Sequence, residues 1–291
     1  MTRVDLSRDL FGRRFQNPLL LAAGTAGFGH ELDGVVDLDR LGGIVTKAVS
    51  VEPRHGNPPP RVAEFPGGML NSVGLANPGL ERVRDHHLPW LVERLRHAQI
   101  LVNVVGFTIE EYGEVVRRLD GVPGLAGFEL NLSCPNTSAG GIEFGADAGC
   151  VQRIVSTCRA RTKLPLIAKL SPLLPDIGAI ALAARDAGAD AVTAVNTLPG
   201  MLWHSDGRAR LGQGNGGISG PALLPLGVLA VARILDRTGG MPVIGVGGVR
   251  SAHDVRQYLR AGASLVALGT GAMADPRLPE RIVRHLELDG G

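Results

Sequence analysis

The sequence predicts an α/β fold, the (β/α)8 TIM barrel, from two observations. Short apolar runs that end in Gly, Asn, Lys or Thr recur eight times along the chain. Each run is followed by a segment with helical periodicity, and such runs are typical of parallel strands that are buried on both faces. Alternation over ~250 residues favours a closed barrel. We therefore expect one domain, residues 1–291, with long loops after strands 2, 4 and 6.

The predicted strands are short, and in chain order they are PLLLAAG (18–24), GIVTKAV (43–49), ILVNVVG (100–106), GFELNLS (127–133), PLIAKLS (165–171), AVTAVNT (191–197), PVIGVGG (242–248) and LVALGTG (265–271). Several helix candidates open with Pro, Ser or acidic residues, as helix starts do. The candidates include NPGLERVRDHHLPWLVERLRHA (77–98), IEEYGEVVRRL (109–119), PDIGAIALAARDAGA (175–189), PALLPLGVLAVARIL (221–235) and SAHDVRQYLRAGA (251–263). A doubly wound open sheet is the alternative, but AAGTAGFG (22–29) only loosely matches the GxGxxG turn expected after its first strand.

Two stretches are longer than ordinary connections between a strand and a helix. They are residues 50–79 after the second strand and residues 198–220 after the sixth, and both are interpreted as irregular loops. Long loops of a barrel enzyme usually build its substrate site.

Composition and charge exclude some classes of function. The formal net charge is only +2 without long basic runs, which argues against nucleic-acid or anionic-membrane partners. The amino-terminal stretch has no leader pattern and no segment reaches ~18 uninterrupted apolar residues, so a cytoplasmic protein is expected. Cys134, Cys150 and Cys158 lack CxxC spacing, so no disulfide framework and no metal site is expected. Cys150 and Cys158 fit packing positions of a helix, whereas Cys134 follows a strand.

Polar residues stand at the ends of several predicted strands. Only three of the 30 Lys and Arg residues are Lys, and two of them, Lys47 and Lys169, lie at strand ends. A single such Lys would simply reach solvent. Asn103, Asn131 and Asn196 also come late in apolar runs, where each is either a structural crosslink or a reader of a polar, planar ligand. Because barrel sites lie at the carboxyl ends of the strands, these residues are candidates for ligand binding.

The last two strands end in glycine-rich turns, GVGGVRSAHD (245–254) and LGTGAM (268–273). Glycines there let backbone N–H groups approach a phosphate, and a following helix start adds its dipole. The pair of turns predicts a phosphate site.

Six motifs together resemble the FMN-dependent dihydroorotate dehydrogenases of class 1, with matches from near residue 17 to near residue 276. They are NPPPRVAEFPGGMLNSVGLANPG (57–79), NLSCPNTSAGG (131–141), AVNTLPGM (194–201), GGISGPA (216–222), GVGGVRSAHDV (245–255) and ALGTGAMADP (267–276). GML before Asn71, TSAGG after Cys134 and GGISGPA are similar to the NAD-linked class 1B rather than the fumarate-linked class 1A. Class 2 enzymes normally carry Ser in place of Cys134.

The resemblance implies three sets of contacts in this chain. FMN would contact Thr25, Lys47, Ala48, Asn103, Asn131, Lys169, Val195 and Gly220. Its phosphate would lie on Gly247, Gly248, Gly269 and Thr270. Dihydroorotate would be held by Lys47, Asn71, Ser72, Val73, Gly74, Leu75, Asn131, Asn196 and Thr197. Two positions depart from the family pattern: Thr25, where relatives often have Ser, and Phe107, where a small residue is expected.

The resemblance also assigns roles and partners. Cys134 would take the proton from C5 of dihydroorotate while hydride leaves C6 for the flavin, Lys169 would stabilise charge on the flavin side, and Lys47 would do so on the substrate side. A homodimer of this chain would bind a separate subunit that carries FAD and a [2Fe-2S] cluster, which gives a heterotetramer that passes electrons to NAD.

Four other functions stay open at this point. The same flavin barrel could act on another dihydropyrimidine, with uracil or thymine as the product, or could use fumarate as class 1A enzymes do. A flavin-free aldolase or lyase would form a Schiff base on Lys169. A non-catalytic barrel would serve as a scaffold for another subunit.

Overall fold

The computed structural model describes residues 4–132 and 144–288. In chain order the strands of these residues are β1 (Arg8–Leu10), β2 (Arg13–Phe15), β3 (Leu19–Leu21), β4 (Gly43–Val45), β5 (Val62–Phe65), β6 (Gly68–Asn71), β7 (Gln99–Val104), β8 (Leu125–Asn131), β9 (Leu166–Leu170), β10 (Ala191–Ala194), β11 (Leu198–Gly200), β12 (Gly216–Ser219), β13 (Val243–Val246) and β14 (Leu265–Leu268). The α-helices of the same residues are α1 (Leu80–Arg82), α2 (Leu88–Arg94), α3 (Ile109–Leu119), α4 (Ala148–Arg159), α5 (Ile177–Asp186), α6 (Leu223–Thr238), α7 (Ala252–Arg260), α8 (Thr270–Ala274) and α9 (Leu278–Leu288).

Eight of the strands close into a barrel. Their order around it is β3, β4, β7, β8, β9, β10, β13 and β14, and β14 pairs with β3 to complete the circle. Neighbouring strands in the barrel are parallel. Each barrel strand overlaps one of the predicted apolar runs, so the (β/α)8 prediction is confirmed and the open, doubly wound sheet is excluded.

The core has two layers, because successive side chains of a strand point to opposite faces. One layer draws on strands around the whole barrel and on no helix, and therefore fills the barrel interior; it includes Leu20, Val45, Leu101, Ile167 and Ile244. The other layer joins the outer faces of the strands to the helices. The hairpin of β1 and β2 covers the amino-terminal end of the barrel, since its Phe15 packs into the interior layer.

Side-chain caps set the starts of four helices. Thr108 accepts a hydrogen bond from an N–H of the first turn of α3, and Asp147, Asp176 and Ser251 do the same for α4, α5 and α7. Such caps satisfy N–H groups that the helix itself leaves without partners. The predicted helix 77–98 is interrupted by a π-helical turn, Val83–His87, which separates α1 from α2. Within the described residues, no helix is long and apolar enough to cross a membrane.

Cys150 and Cys158 lie on the buried face of α4, as the sequence predicts. Burial raises the pKa of the Cys158 thiol to about 12. Both cysteines are therefore packing residues, and Cys158 does not become a thiolate near neutral pH.

The two long loops are not irregular, which corrects the prediction for residues 50–79 and 198–220. They form an antiparallel four-stranded sheet in the order β11, β12, β6, β5. The pairing of β6 with β12, with Ile218 opposite Leu70, joins one loop to the other. Ala63, Leu70 and Leu211 form a small hydrophobic cluster in this sheet. The sheet was missed because its strands are short and β12 is rich in Gly, which sequence patterns read as a loop.

Candidate active site

A layer of polar side chains crosses four neighbouring strands of the barrel. Asn103 is on β7, Glu129 on β8, Lys169 on β9 and Thr193 on β10, and all four are buried. Asn103 is the register partner of Glu129, and Lys169 is the register partner of Thr193. Three of them lie two residues beyond an interior residue of their strand, as the alternation of strand side chains requires; those interior residues are Leu101, Ile167 and Ala191. The layer therefore faces the barrel interior at the carboxyl ends of the strands.

Glu129 is the centre of this layer, and it was not among the site residues predicted from the sequence. Its Oε1 accepts a hydrogen bond from Asn103 Nδ2 at 2.7 Å and lies 3.5 Å from Lys169 Nζ. Its Oε2 accepts a hydrogen bond from Thr193 Oγ1 at 2.7 Å. The signal that could have found it is its position two residues before Asn131, which puts both side chains on one face of β8.

Asn103 leaves one polar atom available to a ligand. Its Oδ1 is buried and has no hydrogen-bond partner within the part of the chain that the structure describes. Buried acceptors of this kind normally have a partner, so a missing one indicates a group that binds here. The ammonium of the buried Lys169, which lies beside Glu129, adds a donor. Together the two groups suit a planar ligand with an N–H beside a carbonyl.

Asn131 and Asn196 meet at the ends of β8 and β10. Asn196 Nδ2 donates to Asn131 Oδ1 at 3.3 Å, and Asn196 Oδ1 accepts from the Thr197 N–H at 2.8 Å. The Tyr112 hydroxyl of α3 donates a hydrogen bond to the backbone carbonyl of Asn131 at 2.6 Å. Two of the three predicted asparagines are therefore in direct contact. The third, Asn103, is hydrogen-bonded to Glu129, which lies on β8 with Asn131.

Lys47 follows β4, where the loop after β3 holds its backbone. The Lys47 N–H donates to the Gly27 carbonyl at 2.7 Å, and Thr46 Oγ1 donates to the Lys47 carbonyl at 2.9 Å. Ala48 beside it is buried. Thr25 lies in the same loop as Gly27, so the structure brings Thr25, Lys47 and Ala48 to neighbouring positions of the rim.

The glycine-rich turns after β13 and β14 lie side by side, because those strands are neighbours. Gly248 has φ +75°, and a Cβ there would stand 2.5 Å from the Leu224 backbone nitrogen. Gly220 has φ +113°, and its Cβ would stand 2.8 Å from the Gly68 Cα. Larger residues are therefore excluded at both positions. Thr270 Oγ1 donates to Ser219 Oγ at 2.7 Å, which joins the turn after β14 to Gly220.

The remaining members of the predicted phosphate set lie in the same turns. Gly247 has φ +123° and its carbonyl accepts a hydrogen bond from the Tyr258 hydroxyl at 2.8 Å. Gly269 precedes α8, and a Cβ there would meet no atom closer than 3.8 Å, so this part of the turn is open. Val195 is tied to the same end of the barrel, since its N–H donates to the Val246 carbonyl at 3.0 Å.

The segment 71–75 extends from the four-stranded sheet. Asn71 Nδ2 donates to the Gly217 carbonyl at 3.2 Å, and a Cβ on Gly217 would collide with Thr197. Thr197 of the barrel rim and Asn71 of the sheet are therefore both close to Gly217. Asn57 then fixes the segment, because its Nδ2 donates to Ser72 Oγ at 2.8 Å and its N–H to the Val73 carbonyl at 3.1 Å.

Two turn residues complete this segment. Gly74 and Leu75 both have positive φ, +70° and +58°. The Leu75 carbonyl accepts a hydrogen bond from Asn77 Nδ2 at 2.8 Å. Leu75 is one of the few residues other than Gly that adopt this conformation, and Asn77, which is buried, holds it there.

Phe107, the second departure from the family pattern, packs under Arg54. The Arg54 guanidinium carbon lies 4.1 Å from the centre of the Phe107 ring, and the Phe107 N–H donates to Glu111 at 2.7 Å. The loops after β4 and β7 are joined by this contact. Cys134, the predicted base, lies outside the described residues. Within the described residues, no cluster of His, Cys, Asp and Glu could hold a metal ion.

The closed barrel, with its polar layer and paired glycine turns at one end, defines a barrel enzyme whose site lies at the carboxyl ends of the strands. The family model described as dihydroorotate dehydrogenase matches residues 5–288, and the chain belongs to this family.

Individual curated relatives are similar to this chain over nearly its whole length. The chain is 41% identical over 288 residues to the "Dihydroorotate dehydrogenase B (NAD(+)), catalytic subunit" of Geobacter sp., covering 99% of this chain and 93% of the relative. Proteins of the same name from Pelobacter propionicus and Desulforudis audaxviator are 43% and 44% identical over 286 residues, with 98% of this chain and 93% and 92% of each relative covered. The predicted resemblance to class 1B dihydroorotate dehydrogenases is thereby confirmed.

Proposed function

We propose that this chain oxidises (S)-dihydroorotate to orotate with FMN, in the de novo synthesis of pyrimidines. The observation that carries the proposal is the buried Asn103 Oδ1, which lacks a partner within residues 4–132 and 144–288, beside the buried ammonium of Lys169. In a member of this family, that pair fits the polar ring edge of a flavin.

The described residues fit FMN at both of its ends. Backbone groups of Gly247, Gly248, Gly269 and Thr270, with Gly220, would hold the phosphate, because glycine-rich turns let backbone N–H groups approach a phosphate. Larger side chains are excluded at Gly220 and Gly248. Thr25, Lys47, Ala48, Asn103, Asn131, Lys169 and Val195 would line the ring. When bound, FMN accepts the hydride that leaves C6 of dihydroorotate.

Dihydroorotate would lie between the barrel rim and the four-stranded sheet. Lys47, Asn131, Asn196 and Thr197 approach from the rim, and residues 71–75 approach from the sheet. Amide side chains match the alternating N–H and carbonyl groups of a dihydropyrimidine ring, and the Lys47 ammonium suits its carboxylate. Cys134 would take the proton from C5, as the thiolate of a residue near cations can do.

A partner subunit would carry electrons onward. The name of the curated relatives includes the words "catalytic subunit" and NAD(+), which supports a separate subunit for the NAD-linked half of the reaction. We propose that this subunit holds FAD and a [2Fe-2S] cluster and binds a homodimer of this chain in the cytoplasm.

The ion pair of Lys169 argues against the aldolase alternative. A Schiff base needs the Lys169 nitrogen to be free to attack a carbonyl, whereas here its Nζ is held in an ion pair, 3.5 Å from Glu129 Oε1.

The test is the visible spectrum of the purified chain before and after dihydroorotate is added without oxygen. We expect a yellow protein with one FMN, released on denaturation, that bleaches with dihydroorotate. FAD in place of FMN, or no flavin in a folded sample, would refute the FMN site. Bleaching by dihydrouracil or dihydrothymine but not by dihydroorotate would favour the other pyrimidine reaction.

A further inference from the structure

Glu129 is the one residue that contacts every other member of the polar layer. It is 1% exposed, and its two oxygens face three donors: the Asn103 amide, the Lys169 ammonium and the Thr193 hydroxyl. We propose that Glu129 is a positioning residue that acts through Lys169 and Asn103 and thereby sets how strongly the site favours the reduced cofactor over the oxidised one. The inference rests on the proposed FMN site.

The contact with Asn103 fixes the direction of that amide. A carboxylate only accepts hydrogen bonds, so the Asn103 NH2 group must face Glu129 at 2.7 Å. The Asn103 carbonyl oxygen is then left on the opposite side, where it lacks a partner among the described residues. Without Glu129 either end of the amide could face the ligand. Glu129 therefore makes this position an acceptor, which selects a ligand N–H.

The contact with Lys169 balances a buried charge. The side chains of Lys169 and Glu129 are 9% and 1% exposed, so little solvent screens either of them. At 3.5 Å the carboxylate offsets the positive charge of the ammonium. A buried charge that loses its partner interacts more strongly with whatever else is near it. Reduced flavin carries more negative charge than oxidised flavin, so removal of the Glu129 charge should favour the reduced form.

The experiment measures the reduction potential of the bound FMN in Glu129→Gln, which keeps the shape of the side chain, removes its charge and leaves one carbonyl oxygen to accept hydrogen bonds. We expect the preference for reduced over oxidised FMN to rise at least about tenfold, which corresponds to about 30 mV for a two-electron couple. Thr193→Val is the matched control, because it removes the hydrogen bond to Oε2 and keeps both charges. In this variant, the preference for reduced over oxidised FMN should stay within about threefold of the wild-type preference.

A double variant tests whether the effect passes through Lys169. We compare the effect of Glu129→Gln on the preference for reduced over oxidised FMN in two backgrounds, wild type and Lys169→Gln. On a logarithmic scale, the effect in the Lys169→Gln background should be less than half of the effect in wild type. An unchanged or more negative potential in Glu129→Gln overturns the proposal. So does an equal shift in both backgrounds, which would mean that Glu129 acts on the flavin directly. Failure of the proposed function itself is distinguished by wild-type protein that binds no FMN.

Discussion

At the scale of single residues, the sequence distinguishes Cys134, which follows a predicted strand, from the two cysteines of α4. We expect Cys134→Ala to keep its FMN but to slow flavin reduction by dihydroorotate by at least about 100-fold, the usual scale for a lost general base. Cys134→Ser should keep part of the rate, and only at higher pH, because a hydroxyl is a weaker acid than a thiol. Single-turnover absorbance measures both rates.

Cys150→Ala is the control for this prediction, because Cys150 is a buried residue of α4 outside the predicted site. It should reduce flavin at the wild-type rate. Near-normal reduction by Cys134→Ala would remove the Cys134 thiol from the mechanism.

Asp39 is a second residue whose environment predicts a measurable effect, on stability in acid. Its partial burial would raise the pKa, but backbone N–H groups of Ala98, His97 and Arg96 and the His97 side chain outweigh that and lower it below the usual 3.8. A carboxyl with a lowered pKa stabilises the fold above its unfolded pKa, and this stabilisation is lost as the pH falls through the folded value.

We therefore expect Asp39→Asn to destabilise the fold by about 1 kcal/mol at pH 7 and by less at pH 3, which is below the usual pKa of 3.8, as measured by urea unfolding. Asp206→Asn is the control. The pKa of Asp206 is also lowered, by hydrogen bonds from Arg208, but this carboxyl is solvent-exposed and solvent screens its ion pair. An equal loss for Asp39→Asn at both pH values would contradict the prediction.

Sequence patterns predicted most of the candidate site residues, but they did not predict Glu129, the centre of the polar layer. Lys47, Lys169 and Asn103 stand out because each interrupts an apolar run near a strand end. Glu129 interrupts such a run too, but its partners Asn103 and Thr193 lie 26 and 64 residues away in sequence. Whether a charged residue in a strand is buried and paired depends on neighbouring strands, which a local pattern does not contain.

At the scale of elements, the two tyrosines of the chain have similar places. Tyr112 on α3 and Tyr258 on α7 are both buried, and each donates its hydroxyl to a carbonyl at a strand end, that of Asn131 and that of Gly247. The ring of Tyr258 fills the space that a Cβ on Gly245 would need. Burial, with the nearby Asp254 carboxyl, raises the pKa of Tyr258 well above its usual range, so the hydroxyl stays a donor.

Each tyrosine should therefore stabilise one part of the site. We expect Tyr258→Phe to weaken FMN binding about fivefold, the effect of one hydrogen bond of about 1 kcal/mol, with little change in KM for dihydroorotate. Tyr112→Phe should instead raise that KM by a similar factor, because it releases the end of β8. Fluorescence titration of FMN and steady-state assays measure the two effects. Equal losses of Tm without either change would show that both hydroxyls only stabilise the fold.

The long loops show where element prediction fails. Helices with side-chain caps, such as α3 behind Thr108, begin close to the predicted residue because the capping signal is local. The sheet of β5, β6, β11 and β12 has no comparable signal, since its two halves are more than 100 residues apart and pair only after the barrel brings them together. Its strands owe their pairing to tertiary contacts rather than to their own propensity.

At the scale of the whole molecule, the number and spacing of apolar runs predicted the closed barrel correctly. Closure follows from those runs because eight parallel strands leave no open edge once the first and last strands pair, as β3 and β14 do.

The last prediction is that the isolated chain has no route from FMN to NAD. One route would be an iron–sulfur cluster held by this chain. Such a cluster needs Cys ligands, and the chain has three Cys, two of which are buried packing residues of α4. The sequence matches GxGxxG only at GQGNGG (212–217), and this stretch leads into β12 rather than into a helix, so it is not the turn of a second dinucleotide site. We therefore expect the purified chain to reduce an artificial dye with dihydroorotate, to leave NAD unreduced, and to gain NAD activity when an FAD/[2Fe-2S] subunit is added. The contact between the subunits needs only a modest area, because electrons cross without a shared covalent site. Assays with dye, NAD and fumarate in parallel make the test: substantial fumarate turnover, or NAD turnover by the chain alone, would overturn the proposed partner while leaving the dihydroorotate chemistry intact.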